Sequence, residues 1–374
     1  MADQPAGMAG QGAGPAGQGA AMADPGAALA GQPAAVAGQG AMADPGAGPA
    51  GQPAAVAGQG NTRVADRWHW PAGSAADGPW SVAMTPDRAG WAYAGLRVVD
   101  LPPGGSRSLH TGPDEMIVLP LAGSCVLRCE GETLELAGRP GVFDAVSDFG
   151  YLPPAARAEI SSAGGGRFAL PAARAARRFP VRYGPAGGVR VELRGAGTCS
   201  RQVNNFATPE TFETDKLIGC EVLTPGGNWS SYPPHKHDEE RPGEAVLEEI
   251  YYFEVGSGPT GTTGVGYQRV YGTAQRPIEV LAEVRTGDTV LVPYGWHGPS
   301  IAAPGHPLYY LNVMAGPAGE RAWLIRDDPA HAWVRSDWAN QEIDPRLPLT
   351  GPATGPLTGP LTGPATGPAG GPPR

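Results

Sequence analysis

The chain has 374 residues, of which 58 are glycine and 42 are proline, and its formal net charge is -9. Its length allows about two domains once low-complexity segments are set aside, which excludes a small disulfide-stapled scaffold. Because it has only two lysines, Lys216 and Lys236, and a pI near 5.3, we expect neither a nucleic-acid-binding surface nor a Schiff-base lysine.

Both ends of the chain are repetitive. Residues 1–62 contain a hexapeptide that begins at Met22 and returns at Met42, and residues 349–374 repeat Thr-Gly-Pro-Ala or Thr-Gly-Pro-Leu. These segments have too little apolar surface to offset the chain entropy that is lost on ordering. We therefore predict a disordered tail at each end.

Residues 63–348 carry a strand pattern. Short runs of β-branched and aromatic residues alternate with Gly, Pro and Asp turns at roughly ten-residue spacing, as in residues 116–121 and 308–314. Helical periodicity is weak, and the candidate helices are residues 170–179, which are rich in Ala and Arg, and residues 208–214. The pattern predicts an all-β protein built from a sandwich or a barrel.

Two further features concern the location of the protein. Its four cysteines form no Cys-x-x-Cys pair and no close cluster with histidine, which is typical of reduced, buried thiols. No apolar run approaches the ~18 residues of a membrane span, and the first residues lack a basic region. We expect a cytoplasmic protein that does not bind membranes; the sequence allows a homo-oligomer but does not require one.

Three of the seven histidines fall in one pattern with a carboxylate. His235 and His237 share a face of an extended strand, because side chains alternate along it, and Glu249 and His297 follow downstream. Imidazole and carboxylate are common ligands of divalent transition metals. These four side chains are therefore a candidate site for one divalent metal ion.

The spacing resembles the two motifs of the cupin superfamily: His-x-His, then Glu followed by six residues and Gly; and Gly, five residues, Pro-x-Gly and His. Glu249 matches the first motif better than Glu248, because six residues separate it from Gly256 and Glu248 would point to the opposite face. The sequence departs from the family by an insertion at residues 238–247 and by a single residue between the last motif glycine and His297. The resemblance implies a small barrel, or jelly roll, around the metal site.

The first half repeats this arrangement without its ligands. Glu115 opens an apolar strand as Glu249 does, and Arg157 takes the place of the last imidazole. Arginine cannot ligate a metal ion, and no His-x-His precedes Glu115. We therefore expect a bicupin with two tandem barrels: a degenerate cupin over residues 63–190 and a metal-binding cupin over residues 191–348.

Five short segments make the resemblance more specific; they lie at residues 67–74, 200–206, 233–239, 248–253 and 327–335. Their sequences are similar to those of the 5-deoxy-glucuronate isomerases of bacterial myo-inositol catabolism. They are more distantly similar to the hexuronate ketol-isomerases that act on 5-keto-4-deoxyuronate. The similarity implies a metal-dependent aldose–ketose isomerase. Its small-molecule substrate would be 5-deoxy-D-glucuronate, which becomes 5-dehydro-2-deoxy-D-gluconate through an enediol(ate).

This reaction suggests roles for the predicted ligands. A metal ion held by His235, His237, Glu249 and His297 would stabilise the oxyanion that develops on the substrate carbonyl. Zinc, which has no redox chemistry, is the first expectation, and manganese, iron and nickel suit the same ligands. Glu249 and Tyr251, which share the inward face, are the candidate catalytic residues. A metal-bound hydroxide is another candidate for the proton transfer, and Tyr251 is alternatively an ordinary core residue.

Recognition of the substrate should involve an arginine, because the substrate carries a carboxylate. Arg201 is the candidate, and the neighbouring Gln202, Asn204 and Asn205 could bind hydroxyls; alternatively, this segment is a linker that joins the two halves by hydrogen bonds. Two other functions use the same metal ligands: a cupin oxygenase or decarboxylase, and a non-catalytic sugar-binding cupin.

Overall fold

The computed structural model describes residues 66–258 and 260–351, so most of both predicted tails lies outside the described residues. Strands dominate this part of the chain. The strands of the first half are β1 (His69–Trp70), β2 (Val82–Met84), β3 (Ala94–Leu101), β4 (Gly105–His110), β5 (Asp114–Cys129), β6 (Glu132–Arg139), β7 (Phe149–Leu152), β8 (Arg157–Ser162), β9 (Gly166–Arg174) and β10 (Arg182–Gly184). Those of the second half are β11 (Arg190–Arg194), β12 (Arg201–Ala207), β13 (Ile218–Thr224), β14 (Trp229–Ser230), β15 (His235–Lys236), β16 (Glu248–Val255), β17 (Gly266–Tyr271), β18 (Glu279–Val284), β19 (Thr289–Val292), β20 (Trp296–Ala302), β21 (Leu308–Ala315) and β22 (Arg326–Asp327).

Helices in the described residues are short, namely α1 (Pro86–Ala89), α2 (Val334–Asp337) and three 3₁₀ turns. The helices predicted at residues 170–179 and 208–214 do not form. The first segment begins inside β9, which pairs with β3 and β5, and the second is a turn closed by a bond from the Thr211 N–H to the Thr208 carbonyl. The first prediction was wrong because pairing with the neighbouring strands outweighs the intrinsic helix propensity of Ala and Arg, which tertiary contacts readily override.

The first half folds into one nine-stranded sheet that bends around its own core. Its longest strand, β5, has 16 residues; the first part pairs with β7 and β9, and the second part pairs with β6 and β8. The strand register shifts at Gly123, where the backbone φ is +87°. A Cβ atom there would lie 2.5 Å from the Gly165 carbonyl oxygen, so the bend requires glycine.

The second half contains two sheets. The seven-stranded sheet has the order β1-β19-β16-β21-β13-β12-β11, and the six-stranded sheet has the order β18-β17-β20-β15-β22, with β14 beside β20. Because β1 pairs with β19, the start of the described chain belongs to the second barrel. His69 strengthens this contact, since its Nε2 atom lies 3.3 Å from the Asp288 carboxylate.

Buried apolar side chains form three main clusters. One fills the first barrel and another fills the second. The largest joins the two halves and includes Phe149 of β7 and Phe206 of β12, whose ring centroids are 5.5 Å apart. Two barrels in tandem with a shared apolar interface confirm the predicted all-β bicupin.

Two glutamates tie the halves together reciprocally. Glu248, at the start of β16, accepts hydrogen bonds from the backbone N–H groups of residues 92–94, each at 2.8 Å. Glu115 in β5 accepts hydrogen bonds from the backbone N–H groups of residues 215–217 at 2.8, 2.7 and 2.8 Å. Each carboxylate therefore holds the segment that leads into a strand of the other half, β3 or β13.

Strand register corrects the expected correspondence of Glu115 with Glu249. Met116 pairs with the last residue of β7, and Glu249 pairs with the last residue of β19. Met116 is thus the counterpart of Glu249, and Glu115 is the counterpart of Glu248. Because a shift of one residue moves a side chain to the other face of a strand, the first barrel has an apolar side chain where the second has a carboxylate.

The first residues of the predicted C-terminal tail pack against the second half. Gln202 Oε1 accepts bonds from the N–H groups of Leu349 and Thr350 at 2.8 and 3.1 Å, and its Nε2 donates to the Thr350 hydroxyl at 2.8 Å. Thr350 is buried. These contacts extend the packed part of the chain beyond the expected limit at residue 348.

Candidate metal centre

Three strands bring the four predicted ligands together. His235 in β15 pairs with His297 in β20, His237 directly follows β15, and Glu249 is the second residue of β16. The ring nitrogens that could act as ligands lie within 4.8 Å of one another in the three histidines. His237, Glu249 and His297 are buried, so protein encloses most of the cluster.

The Glu249 carboxylate lies against two of the imidazoles. Its Oε2 atom is 3.1 Å from His237 Nε2 and 3.0 Å from His297 Nε2. Its Oε1 atom accepts a hydrogen bond from Asn312 Nδ2 at 2.6 Å. Asn312 therefore fixes the carboxylate with Oε2 directed at the imidazoles.

Backbone carbonyls orient the same two rings. His237 Nδ1 lies 3.0 Å from the Leu247 carbonyl oxygen, and His297 Nδ1 lies 3.2 Å from the Gly295 carbonyl oxygen. A ring that donates from Nδ1 presents an unprotonated Nε2, the form in which histidine ligates metals. The carbonyls thus favour the tautomer that a metal site requires.

Burial and proximity set the charges of the cluster. Burial opposes ionisation of Glu249, but the neighbouring His297 and His237 outweigh it and lower the pKa of the carboxyl to about 2. Burial, reinforced by His297 and His237, holds the pKa of His235 well below its ordinary value. Burial also opposes the charge of His237, but its hydrogen bond with Glu249 and the charge of that carboxylate outweigh burial and raise the pKa of His237. A metal ion at the site would take the place of the proton between His237 and Glu249, because histidine ligates metals in its neutral form.

The donor set fits a divalent transition metal. His297 Nε2 is buried and has no aligned hydrogen-bond partner among the described residues, although Glu249 Oε2 lies close to it. A cation between these atoms would satisfy the nitrogen and the carboxylate together. The group of His235, His237 and His297 could therefore bind a metal ion, and the Glu249 carboxylate lies against this group.

A cavity of about 50 Å³ adjoins the cluster, and three arginines line it. Arg335 forms two bonds with the Asp327 carboxylate, one of them from Nη2 at 2.7 Å. Arg194 donates to Glu192 Oε2 at 2.9 Å. Acidic partners therefore neutralise both of these side chains, and the third arginine differs from them.

Arg201 has no carboxylate partner among the residues that the structure describes. Its Nη1 atom donates to the Cys199 carbonyl oxygen at 3.1 Å, and its guanidinium lies 5.5 Å from the ring centroid of Trp338. The residue is 9% exposed, and burial lowers the pKa of its guanidinium to about 10. A buried cation without a counter-ion at a cavity wall is suited to bind an anionic ligand.

Tyr251 lines the same cavity, together with Ser231 and Tyr310. Ser231 Oγ lies 3.4 Å from the Tyr251 hydroxyl oxygen and 3.0 Å from that of Tyr310. Burial, followed by the charge of Glu249, raises the pKa of Tyr251 well above its ordinary value. The Tyr251 hydroxyl therefore keeps its proton in the folded protein.

The remaining predicted substrate-binding residues divide between the two faces of β12. Arg201 lines the metal cavity, and Asn205 lines a second cavity on the same face. Gln202 and Asn204 lie on the opposite face, where Gln202 holds Thr350 and Asn204 Nδ2 donates to a buried carboxylate of β13 at 3.1 Å. Only Arg201 and Asn205 are therefore placed where a bound substrate could meet them.

Several polar and aromatic residues at the site carry no role in the sequence analysis: Arg194, Ser231, Tyr310, Asn312, Trp323 and Arg335. Asn312 gives a usable signal, because it is a polar residue within the apolar run of β21. Arg335 belongs to α2 and reaches the cavity through the path of the C-terminal segment. No local pattern predicts that approach.

Two tandem β-barrels, with a histidine and carboxylate cluster in the second, define a bicupin with a candidate metal centre. The model of the KduI/IolB family matches residues 68–334, and the chain belongs to this family. Its relatives are named as isomerases, and the isomerase class predicted from the sequence is confirmed. No helix in the described ranges is long and apolar enough to cross a membrane.

The matched region covers most of the length of individual relatives. The chain is 40% identical over 256 residues to the 5-deoxy-glucuronate isomerase of Geobacillus thermodenitrificans, and these residues make up 68% of this chain and 90% of that protein. It is 34% identical over 254 residues to the 5-deoxy-glucuronate isomerase of Bacillus subtilis strain 168, which covers 67% of this chain and 91% of that protein. The crystal structure of an IolB-like protein from Salmonella typhimurium matches with a TM-score of 0.66 and 30% identity, over 72% of this chain and 99% of that chain.

Proposed function

We propose that this protein is a metal-dependent aldose–ketose isomerase that converts 5-deoxy-D-glucuronate into 5-dehydro-2-deoxy-D-gluconate in inositol catabolism. One observation carries the proposal: three imidazoles and Glu249 converge beside a cavity whose wall holds Arg201, which has no acidic partner among the described residues. The pairing suits a sugar acid, which offers a carbonyl to the metal site and a carboxylate to the arginine. The names of the relatives support the same substrate.

The reaction moves hydrogen between neighbouring carbons. A proton leaves C2 and one is added to C1, while the hydroxyl proton on O2 is lost and O1 gains one, so the aldehyde becomes an alcohol and C2 becomes a ketone. The energetic cost lies in the negative charge that develops on the carbonyl oxygen. A divalent ion bound by His235, His237, Glu249 and His297 supplies Lewis-acid stabilisation of that charge without any redox change.

The ligand set favours zinc as the resident ion. Zinc binds imidazole nitrogen and carboxylate oxygen and offers no electron chemistry, which an isomerisation does not need. Manganese, iron and nickel accept the same ligands, so metal analysis is part of the test.

The side chains around the cavity have separate tasks. Arg201 binds the substrate carboxylate and sets which end of the molecule faces the cluster. Asn312 holds Glu249 through its bond of 2.6 Å, which keeps the carboxylate available as a ligand and as a hydrogen-bond acceptor. Tyr251 carries a proton at its hydroxyl oxygen and lies on the cavity wall, where it can donate that proton to a substrate oxygen or carbon.

Turnover in deuterated water tests this function. The purified protein, after metal analysis, is incubated under anaerobic conditions with 5-deoxy-D-glucuronate, and the product is analysed by NMR. We expect formation of the ketose with deuterium at C1, because an enediol(ate) exchanges its proton with solvent. A strict requirement for oxygen would indicate a cupin oxygenase instead, and binding without turnover would indicate a sugar-binding cupin.

A further inference from the structure

A second cavity, of about 190 Å³, adjoins the metal cavity, and we call it the side compartment. The two cavities share Arg194 and Trp323. The side compartment is further lined by Glu192, Asn205 and Thr208. It is polar, and the reaction as described above gives it no task.

Strand register places the two cavities along one face of β11, the edge strand, and of β12 beside it. Arg194 in β11 pairs with Arg201 in β12, and four residues further along β12 lies Asn205. Because side chains alternate along a strand, Arg201 and Asn205 point to the same side. A ligand bound at Arg201 can therefore extend toward Asn205 without crossing the sheet.

Three buried polar atoms around the side compartment have no hydrogen-bond partner among the described residues: Asn205 Oδ1, Arg194 Nε and Trp323 Nε1. Asn205 is only 3% exposed, and its Nδ2 donates to Glu192 Oε2 at 3.3 Å. Its Oδ1 therefore needs a donor, whereas the other two atoms need acceptors. A hydroxyl group is both donor and acceptor, so a chain of hydroxyls satisfies all three atoms, which neither a carboxylate nor a simple cation does.

Volume points to the same ligand. The metal cavity, at about 50 Å³, holds roughly four water molecules at 10–15 Å³ each, which is too little for a six-carbon sugar acid. The adjoining 190 Å³ provides the missing space.

We infer that the side compartment binds the hydroxyl groups of the substrate carbons that lie between the reacting carbonyl and the carboxylate. The inference rests on the proposed function. Asn205 accepts a hydrogen bond from one of these hydroxyls, and Trp323 and Arg194 donate to their oxygens. Asn205 and Trp323 thus determine specificity for a hydroxylated chain and take no part in the proton transfer.

Two variants test the assignment, each with a matched control at an exposed position. Asn205→Ala removes the acceptor, and Trp323→Phe removes the indole N–H while it keeps an aromatic ring; the controls are Asn340→Ala and Trp333→Phe. Each test variant should raise KM for 5-deoxy-D-glucuronate about three- to tenfold, the effect of one lost hydrogen bond, with kcat changed less than twofold. The controls should leave both constants unchanged.

A substrate analogue without the hydroxyl at C3 or at C4 tests the same hydrogen bond from the side of the ligand, as in a double-mutant cycle. The wild-type protein should bind one of these analogues about three- to tenfold more weakly than the full substrate, and Asn205→Ala should not weaken that analogue further. Equal KM values in wild type and both test variants would overturn the assignment and leave water as the occupant. Absence of turnover by the wild type would instead refute the proposed function, and the side-compartment assignment with it.

Discussion

Replacement of Arg201 separates a substrate-binding role from a structural one. Burial lowers the pKa of this guanidinium to about 10, a depression that corresponds to a cost of about 3 kcal/mol for keeping the charge at neutral pH. Because the folded-state pKa lies below the unfolded one, the cost is fully present below pH 10 and disappears as the pH rises past the ordinary value. Arg201→Met should therefore keep the free energy of unfolding or raise it by up to about 3 kcal/mol, measured by urea denaturation at pH 7.

The same variant should lose activity. Removal of one partner of a buried charge pair costs about 2–5 kcal/mol, which corresponds to a fall in kcat/KM of about 30- to 5,000-fold. Arg128→Met, on a side chain that is 55% exposed, is the matched control and should change neither stability nor kcat/KM by a measurable amount. If Arg201→Met unfolded more easily than wild type by more than 2 kcal/mol and kept its kcat/KM, the residue would be part of a structural linker and would not bind the substrate.

The remaining predictions concern the metal cluster, the bonds of Glu248 between the two halves, and the ends of the chain. His237→Ala should lose the bound metal and all measurable turnover while the far-UV circular dichroism spectrum stays unchanged; activity equal to wild type would contradict the ligand assignment. Dialysis against a chelator should abolish turnover and lower the Tm, and return of the metal should restore both. Glu248→Gln should lower the free energy of unfolding by about 1–3 kcal/mol without a change in turnover per folded molecule, because its charge-assisted bonds to three N–H groups weaken. A shortened chain of residues 64–351 should keep wild-type turnover, whereas one that ends at residue 348 should have a lower Tm, because it lacks the contacts of Gln202 with Thr350.

Local spacing was enough to predict the fold class and the side chains that the structure brings together at the cluster. His235 and His237 are close in sequence, and the motif distances to Glu249 and His297 reflect the hairpins that return each strand to the same end of the barrel. A single sequence is enough to show these short distances along the chain. The choice of Glu249 over Glu248 followed from the six residues that separate Glu249 from Gly256, as in the cupin motif, together with strand alternation. Glu248 indeed turns to the opposite face, where it bonds to residues 92–94.

Other features depend on contacts that a single sequence does not contain. Strand alternation would have separated Gln202 and Asn204 from Arg201, but whether that face meets a cavity or Thr350 depends on the path of the C-terminal segment. The sequence analysis matched Glu115 with Glu249, whereas the counterpart of Glu249 is the next residue, Met116. Both faces of β5 are buried around Glu115, so the apolar pattern does not fix the register of this strand. The boundary between the two cupins at residue 190 and a cytoplasmic location stay predictions, and the sequence leaves the oligomeric state open.

Crystals of the protein as purified, measured at the absorption edge of the metal found by elemental analysis, would show directly whether the cluster holds a metal ion. We predict one strong anomalous peak per chain, about 2.0–2.2 Å from ring nitrogens of His235, His237 and His297 and from a Glu249 oxygen. Its absence in crystals of active protein, or a peak at any other group of side chains, would contradict the proposed metal centre.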